Sequence, residues 1–352
     1  MSKVLKILFL SLIATVCLPQ QVQAKRFTID TLGKYGKFPR FCLKVYKWGD
    51  RFFNTVDTAY VRGTGYKFNV KLNADSWIDY YHFGLQDGSY CTMYSQPSTT
   101  LGPYITYLAV SLGYSITTSK LLGQADLRRK RFDFSFNCAL ISANFYYYDN
   151  TTGSTISHFG PRGSDYDCKQ NFTGINNKVY GARLMYMLNN KKYSYGAAFS
   201  YSKRQIKSAG SFLFGINLQL QTASFDFDQL PVEMQQRLPV TWASHEYKLK
   251  SNNYSAIIGY GYNWVMHRDW LLGVAVLPTI GWRYGYQANE DLKKYGLSMS
   301  ARARLALVFN RRSWFVGMTG DYDLNSYFSR SHTLVTSILS MNVQVGVRFN
   351  LF

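Results

Sequence analysis

The sequence predicts an all-β protein, an antiparallel transmembrane β-barrel of about 12 strands (about 14 is the alternative) that follows a cleaved signal peptide. Three observations lead to this fold class. The N-terminus has the layout of an export signal, apolar and polar residues alternate along nearly the whole remaining chain, and several alternating runs reach the roughly 9–11 residues that a tilted strand needs to cross a bilayer. About 11 to 14 such runs can be traced, and bacterial single-chain barrels have an even number of strands.

Residues 1–24 are typical of a secretory signal peptide. Lys3 and Lys6 form a short positive region, Ile7–Leu18 form an apolar stretch of about a dozen residues, and Val22–Ala24 form a small-residue cleavage site. The apolar stretch is too short for a membrane-spanning helix, which argues against the alternative of an N-terminal anchor. We therefore expect export, cleavage of the signal peptide and a final location in the bacterial outer membrane.

Residues 25–60 differ from the rest because they are mixed and basic, contain Pro39 and Trp48, and show no sustained alternation. A barrel wall needs that alternation. We expect residues 25–60 to form an N-terminal periplasmic segment, with a partial plug inside the barrel as the alternative. The barrel itself is expected to occupy residues 61–352.

Residues 131–138 alternate with a period of two, because Phe132, Phe134 and Phe136 are separated by polar residues. Successive side chains of a strand point to opposite faces, so such a run has one apolar and one polar face. Arginines occur on the polar faces, and each would cost about 2–4 kcal/mol if it met lipid near the midplane. The polar face is therefore predicted to line a wet lumen. The same alternation occurs in residues 68–72, 212–220, 254–264, 301–309 and 342–351.

Polar stretches between these runs indicate the turns and loops. Short ones are predicted to be hairpin turns at one end of the barrel, and longer ones to be loops at the other end. If every short turn lies at one end, an even number of strands must separate any two of them. The number of strands counted between residues 192 and 267 is odd, so either one turn lies at the other end or one strand is missed. Asp228–Leu238 is predicted to form a short surface helix because Pro231 and Glu233 lie near its start. The short stretches are 189–192, 207–210, 267–269 and 310–312, and the longer ones lie near 150–174, 228–248 and 288–294.

The last alternating run ends with Phe349, Leu351 and Phe352. A closing amphipathic strand with an aromatic end is what the barrel-assembly machinery of outer membranes is understood to recognise. We expect these three residues to form the assembly signal, which makes the assembly machinery a predicted partner.

The polar faces predict a set of side chains that point into the lumen. The functional interpretation is a constriction that prefers anions, because rings of arginine attract them. The alternative, which we favour, is a polar plug in which the arginines contact aspartate and glutamine. Barrels of about eight strands are filled by side chains and those of about 16 hold channels, so an intermediate size leaves both open. The candidate lumen residues are Arg183, Arg302, Arg304, Arg348, Asp133, Asn217, Gln219 and Gln344.

The formal net charge is +20, and removal of Lys3 and Lys6 with the signal peptide leaves +18. A basic excess predicts anionic partners, here outer-membrane lipid and anionic glycolipid. Nucleic acid is not an expected partner, because the chain is exported and shows no nucleic-acid-binding motif. Positive loops and lumen arginines are sufficient to account for the charge.

Four cysteines follow the signal peptide: Cys42, Cys91, Cys138 and Cys168. Their spacing is too wide for a redox or zinc motif. In an oxidising compartment one or two disulfides can form. Cys91 and Cys168 are the predicted pair because both lie in polar stretches resembling loops.

No pattern in the sequence indicates catalysis, a metal or a cofactor. There is no H-E-x-x-H or G-x-S-x-G motif, and the adjacent acid–histidine pairs are limited to His245–Glu246 and Asp79 with His82. The prediction is therefore a non-enzymatic barrel, either a narrow pore or an envelope scaffold. Two alternatives stay open. One is a barrel hydrolase or acyltransferase that acts on lipid or peptide through His82, His245 or His332, and the other is a soluble secreted β-barrel that binds an apolar ligand.

Several strand and turn segments of the mature chain have a recognisable sequence. They are Phe52–Val61 followed by Gly63–Gly65 and Ser76–Asp79, then Tyr186–Tyr195, Lys207–Ser211, Gly259–Val265 and Asp269–Leu272. Together these segments resemble the family catalogued as domain of unknown function 4421, whose members are thought to be exported outer-membrane barrels. The resemblance spans most of the mature chain and implies a fold and a location, but no activity, substrate or catalytic residue.

Overall fold

The computed structural model describes residues 37–85, 88–107, 110–118, 129–150, 153–161, 169–236, 246–287, 295–328 and 332–350. The chain divides into two compact units, one of residues 1–48 with Phe352 and one of residues 49–351. The boundary lies within helix α1 (Lys37–Asn54), whose last turn carries Arg51. In the part of the chain that the structure describes, no helix is long and apolar enough to span a membrane.

The second unit is built almost entirely from antiparallel strands. The first half contains β1 (Val61–Gly63), β2 (Phe68–Leu85), β3 (Ser89–Ser95), β4 (Ser98–Tyr107), β5 (Val110–Gly113), β6 (Ile116–Thr117), β7 (Arg129–Asn137), β8 (Ile141–Asn150) and β9 (Ser154–Pro161). The second half contains β10 (Gln170–Phe172), β11 (Ile175–Met187), β12 (Lys203–Gln205), β13 (Ala209–Asp226), β14 (Glu246–His267), β15 (Trp270–Gln287), β16 (Gly296–Asn310), β17 (Trp314–Phe328) and β18 (His332–Phe349).

Strand pairing closes this sheet into a barrel. From β18 the pairing runs back through the sequence to β13, and then through β11, β8, β7 and β5 to β4. β2 pairs with β18 on one side and with β4 on the other, which completes the ring. Among the described residues the ring therefore contains β2, β4, β5, β7, β8, β11 and β13 to β18. The predicted antiparallel β-barrel is confirmed.

The two ends of the barrel differ in their connections. At the end where β2 begins and β18 finishes, here called the turn end, β14–β15 and β16–β17 are joined by two or three residues. At the opposite end, here called the loop end, β3 pairs with β9 and β9 with β10, which extends the sheet above β4. The surface helix predicted at Asp228–Leu238 is shorter than expected: a 3-10 turn at Phe227–Gln229 precedes α3 (Val232–Gln235).

The wall of the barrel is apolar outside and polar inside. On β14 the large side chains of Tyr254, Ile258 and Trp264 are exposed, whereas Asn253 and Asn263 are buried. Large apolar side chains are also exposed on the outer faces of β13, β15, β16 and β18, whereas their inner faces are polar in the middle of the barrel and apolar toward its ends. Period-two alternation produces the two faces directly, because neighbouring side chains of a strand take opposite faces.

One sequence prediction about the wall is wrong. Residues 189–192 and 207–210 are not two hairpin turns that enclose a barrel strand, because β13 pairs directly with β11. Residues 188–208 form a single connection between these two strands, here called the β11–β13 connection. It contains α2 (Tyr195–Phe199) and β12, and β12 pairs with β1 rather than with the barrel. The odd number of strands counted from the sequence has this origin.

Candidate functional site

The β11–β13 connection fills the turn end of the lumen. Tyr193 and Tyr201 are fully buried, as are Ala197 and Ala198 of α2. They pack against inward-facing apolar residues of the wall, among them Leu213, Ile257, Leu271, Val308 and Phe315. Ser194 caps α2 by accepting a hydrogen bond from the Ala197 amide at 3.2 Å. The turn end thus has an apolar core of its own.

Two glycines of the wall make room for the tyrosines of the connection. A Cβ atom at Gly261 would collide with the Tyr193 hydroxyl, and one at Gly317 would collide with the Tyr201 ring. Tyr201 has a φ of 57°, a left-handed conformation that costs a residue with a side chain about 1–2 kcal/mol. Packing compensates this cost, because the Tyr201 ring stacks on Phe315 with the ring centroids 4.7 Å apart.

Buried hydrogen bonds tie the connection to the wall. Asn263 of β14 donates to the Ser194 carbonyl at 2.8 Å and to the Gln205 Oε1 at 3.1 Å. Gln205 in turn donates to the carbonyls of Lys192 at 2.6 Å and Lys207 at 2.9 Å. These bonds satisfy backbone groups that burial would otherwise leave unpaired, a cost of about 1–3 kcal/mol each. The connection is therefore held in one position.

Arg348 is one of the predicted lumen residues, and the structure places it at the turn end. Its guanidinium donates to the Tyr201 carbonyl at 2.6 Å, the Arg311 carbonyl at 2.7 Å and the Asn310 Oδ1 at 2.9 Å, and it stacks on Phe315 at 4.5 Å. A guanidinium has five donors in a fixed fork, which suits several acceptors at once. Arg348 therefore joins the connection to the β16–β17 turn and does not project into an open channel.

Burial also shifts titratable groups near the turn end. It raises the pKa of the Cys138 thiol to about 11, in the turn between β7 and β8. It lowers the pKa of the Lys203 ammonium below its usual value, against the attraction of Cys138 and Asp50. Burial likewise raises the pKa of the Tyr193 and Tyr201 hydroxyls above the usual value for tyrosine. In each case the low-polarity surroundings disfavour the charged form.

The loop end has a second apolar core. Its centre is Phe225, whose ring lies 4.6 Å from that of Phe83 and 5.7 Å from that of Tyr81. Residues of β9, β10 and the connection after β13 complete the core, including Ile156, Phe172, Phe227, Leu230 and Met234. Aromatic pairs in such edge-to-face contact add about 0.5–1.5 kcal/mol to the burial of their area. Apolar packing thus occupies both ends of the lumen.

Between the two cores the lumen is polar and contains an arginine–aspartate cluster. Arg304 forms a bidentate ion pair with Asp321 and donates to the Tyr195 hydroxyl at 2.6 Å. Arg302 contacts Asp321 at 3.2 Å and Asp323 at 3.5 Å. Arg302 and Arg304 were both predicted to face the lumen, and their partners are the aspartates of the neighbouring strand β17.

Two cavities adjoin this cluster, of about 150 Å³ and about 50 Å³. Arg183 and Arg302 line both. The larger cavity lies toward the turn end and is also lined by Tyr195 and Phe199 of the connection. The smaller cavity is lined by Asp79, Tyr81 and Asp323 among others.

The remaining predicted lumen residues have different surroundings. Asn217 and Gln219 are buried and accept hydrogen bonds from the Tyr146 hydroxyl at 3.2 and 3.3 Å. Gln344 lines the larger cavity. The side chain of Asp133 lies outside the described residues.

Of the predicted assembly signal, Phe349 is the last residue of β18 and stacks on Phe68 at 5.8 Å. Leu351 and Phe352 lie outside the described residues. The same is true of Cys168, so its pairing with Cys91, which is buried on β3, stays a prediction.

Among the described residues, the structure does not place the candidate acid and histidine side chains in contact. Asp79 is buried on the inner face of β2 and accepts a hydrogen bond from Asn150 at 2.7 Å. His82, three residues further along the strand, lies on the opposite face, 3.2 Å from the Thr92 hydroxyl. His245 and the side chains of Glu246 and His332 lie outside the described residues. Within the described ranges, no three metal-ligating side chains form a cluster that could hold a metal ion.

Charged lumen residues outside the predicted set include Arg283, Asp321 and Lys71. Arg283 is buried and donates to Asn253 at 2.6 Å, Asp321 bridges two arginines, and Lys71 is buried beside Tyr104 and Tyr201. Alternation around them could have identified each one, since every residue two positions away lies on the same face.

The fold and its lumen define a class: an antiparallel β-barrel with an apolar outer surface and an interior filled at both ends. The family model described as Domain of unknown function (DUF4421) matches residues 55–349, so the chain belongs to this family, as its strand and turn sequences predicted. No characterised protein matches the sequence significantly.

Solved structures with some similarity include outer-membrane proteins. The outer membrane protease OmpT from Escherichia coli is 8% identical, with 80% of this chain and 97% of that chain covered and a TM-score of 0.36. The beta domain of the Bordetella autotransporter BrkA is 6% identical, with 80% and 100% covered and a TM-score of 0.34. The translocator domain of the autotransporter NalP from Neisseria meningitidis is 12% identical, with 91% and 98% covered and a TM-score of 0.28.

Proposed function

We propose that the chain is a twelve-stranded outer-membrane β-barrel, exported through a cleaved signal peptide, whose lumen is closed by its own β11–β13 connection and loop-end core. In this proposal the barrel is a non-enzymatic component of the envelope, a scaffold rather than an open pore. Its partners are outer-membrane lipid, anionic glycolipid and, during insertion, the barrel-assembly machinery. The carrying observation is the inverted wall, with large apolar side chains exposed and polar ones buried.

The dimensions of the apolar band support a membrane location. Trp270 and Trp282 are both exposed on the outer face of β15, twelve residues apart. At about 3.3 Å per residue they are separated by about 40 Å along the strand. A tilt of about 40° reduces this to about 30 Å across the bilayer, the thickness of a hydrocarbon core. Tryptophan at both boundaries is typical of membrane barrels, whereas a soluble barrel that binds an apolar ligand needs apolar surface inside.

The filled ends support a closed lumen. Tyr193 and Tyr201 are packed into the turn end, and Phe83 and Phe225 into the loop end. An anion-selective pore would need a continuous wet path past both cores.

Single-channel recording in a planar lipid bilayer tests the proposal. We expect folded wild-type protein to carry no discrete current. Because β11 pairs directly with β13, residues 190–210 can be replaced by an Asn-Gly turn between Asn189 and Ser211. We expect this variant to conduct once Phe83→Ala and Phe225→Ala also open the loop-end core, because either core alone closes the lumen. Discrete steps from the wild type would favour the narrow pore instead. Far-UV circular dichroism dominated by helix, or recovery of the protein without detergent, would overturn the barrel itself.

A further inference from the structure

The larger lumen cavity, here called the lumen chamber, carries an excess of positive charge. Four cationic and two acidic side chains line it, Lys71, Arg183, Arg302 and Arg304 against Asp75 and Asp321, which leaves a formal charge of +2. Asp321 is already the partner of Arg302 and Arg304. Asp323 also pairs with Arg302. The remaining excess among the lining residues is that of Lys71 and Arg183 over Asp75.

Neither Lys71 nor Arg183 forms an ion pair within the described residues. Lys71 is only 8% exposed, and its ammonium lies over the rings of Tyr104 at 5.4 Å and Tyr201 at 5.7 Å. Arg183 lies over the Tyr146 ring at 5.5 Å. Cation–π contacts offset part of the cost of burying a charge, but a buried cation is usually paired with an anion.

Polar side-chain atoms without a hydrogen-bond partner among the described residues also line the chamber. The side-chain oxygens of Asn73 and Gln344 are buried and have no hydrogen-bond partner among the described residues. A flip of the Asn73 amide exchanges its oxygen and nitrogen, so this group can present donors to the chamber. The Gln344 nitrogen already donates to the Asn342 Oδ1, so the Gln344 oxygen remains an acceptor. The volume of about 150 Å³ holds on the order of ten water molecules, enough for one tetrahedral oxyanion with water around it.

We propose that the lumen chamber binds one small oxyanion, a phosphate, a sulfate or a phosphate ester of similar size, between Lys71 and Arg183. The anion supplies negative charge to these two side chains and accepts a hydrogen bond from the flipped Asn73 amide. This inference rests on the proposed function in one respect, since the chamber is the interior of the closed barrel.

Isothermal titration calorimetry with inorganic phosphate, on the full-length protein purified in detergent, tests the inference. We expect saturable binding of one phosphate per barrel. Lys71→Met and Arg183→Met should each weaken it by about tenfold or more, because each removes one of two charges that contact the anion. Lys71→Arg should retain binding. The matched control is Lys191→Met, which removes the same charge from an exposed position on the connection.

Circular dichroism and gel mobility of the unheated barrel verify that each variant is folded. Absence of saturable phosphate binding to folded wild type, or equal affinity of Lys71→Met, Arg183→Met and the control, would overturn the inference. A water-soluble short-chain phosphatidic acid tests whether the oxyanion is free phosphate or the headgroup of a lipid. Binding of that lipid with the same dependence on Lys71 and Arg183 would support the oxyanion site and assign it to a headgroup. Conductance and circular dichroism of the wild type, measured without phosphate, test the proposed function separately.

Discussion

Arg348→Met should loosen the turn end of the barrel more than any other single loss of charge there. The wild-type guanidinium donates to the Tyr201 carbonyl at 2.6 Å and to the Arg311 carbonyl at 2.7 Å. Methionine retains much of the volume of the side chain and removes every donor. Two of its acceptors are buried, the Tyr201 carbonyl and the Asn310 Oδ1. Leaving a buried acceptor without a donor costs about 1–3 kcal/mol, so we expect the free energy of unfolding to fall by about 2–6 kcal/mol.

Denaturant unfolding of the detergent-solubilised barrel, followed by tryptophan fluorescence, measures this change. The matched control is Arg311→Met. The Arg311 side chain is 60% exposed, and its ion pair with Asp269 at 3.5 Å is worth about 0–1 kcal/mol. Both variants lose one positive charge at the same end of the barrel. If Arg348→Met were destabilised by no more than the control, the role assigned to its buried hydrogen bonds would be wrong.

Three further predictions concern the wall, the lumen and the turn end. Val276 is exposed midway along the apolar band of β15, so Val276→Arg should destabilise the barrel by about 2–4 kcal/mol and reduce the yield of folded protein. Leu297→Arg, near the loop end, should cost only about 0–1 kcal/mol. Equal yields of the two variants in unheated gels would contradict a lipid-facing wall. Gly317→Leu should displace the Tyr201 ring and lower the free energy of unfolding by an overpacking cost of about 1–3 kcal/mol; unchanged stability in denaturant would count against tight packing of the connection. Burial raises the pKa of Cys138 to about 11, so at pH 8 its thiolate should be roughly a hundredfold scarcer in the folded protein than in the unfolded chain. Alkylation of Cys138 by iodoacetamide should be slower in proportion. Mass spectrometry of the Cys138 peptide from folded and denatured protein compares the two alkylation rates, and similar rates would exclude the burial.

Local pattern was sufficient to predict the wall of the barrel. On β18, Val343, Val345 and Val347 are exposed and the residues between them are shielded, as their alternation indicated. A period of two assigns every side chain to a face once one is assigned, and the arginines identify the wet face. The antiparallel fold class therefore follows from the sequence with little dependence on distant contacts.

The β11–β13 connection shows where the same logic fails. Tyr193, Tyr195, Phe199 and Tyr201 all occupy odd positions, and the even positions between them are small or polar, which is the pattern of a strand. In the structure this stretch forms a short helix and a turn, because its rings enter sockets at Gly261 and Gly317. Those glycines are distant in sequence, so no window around the tyrosines contains the information.

The sequence of the wall strands nevertheless contains a signal that indicates the plug. Toward the turn end, residues 274–277 and 305–309 are apolar at consecutive positions, and so are Phe315 and Val316. A strand between lipid and a wet lumen alternates, whereas one between lipid and a packed interior is apolar on both faces. The loss of alternation at one end therefore indicates a plug at that end, and the inner members Leu277, Val308 and Phe315 do contact it.

The contrast between the ends and the middle of the lumen bears on what the barrel does. If packing served stability alone, apolar residues could fill the middle as they fill both ends, since replacing buried charges by apolar residues of similar volume is often neutral or stabilising. The middle instead holds a chamber of about 150 Å³ with Lys71 and Arg183 lacking a carboxylate partner among the described residues. Burying unpaired cations costs free energy, and a scaffold gains nothing from it. The chamber is better accounted for by an anionic ligand than by the stability of the barrel.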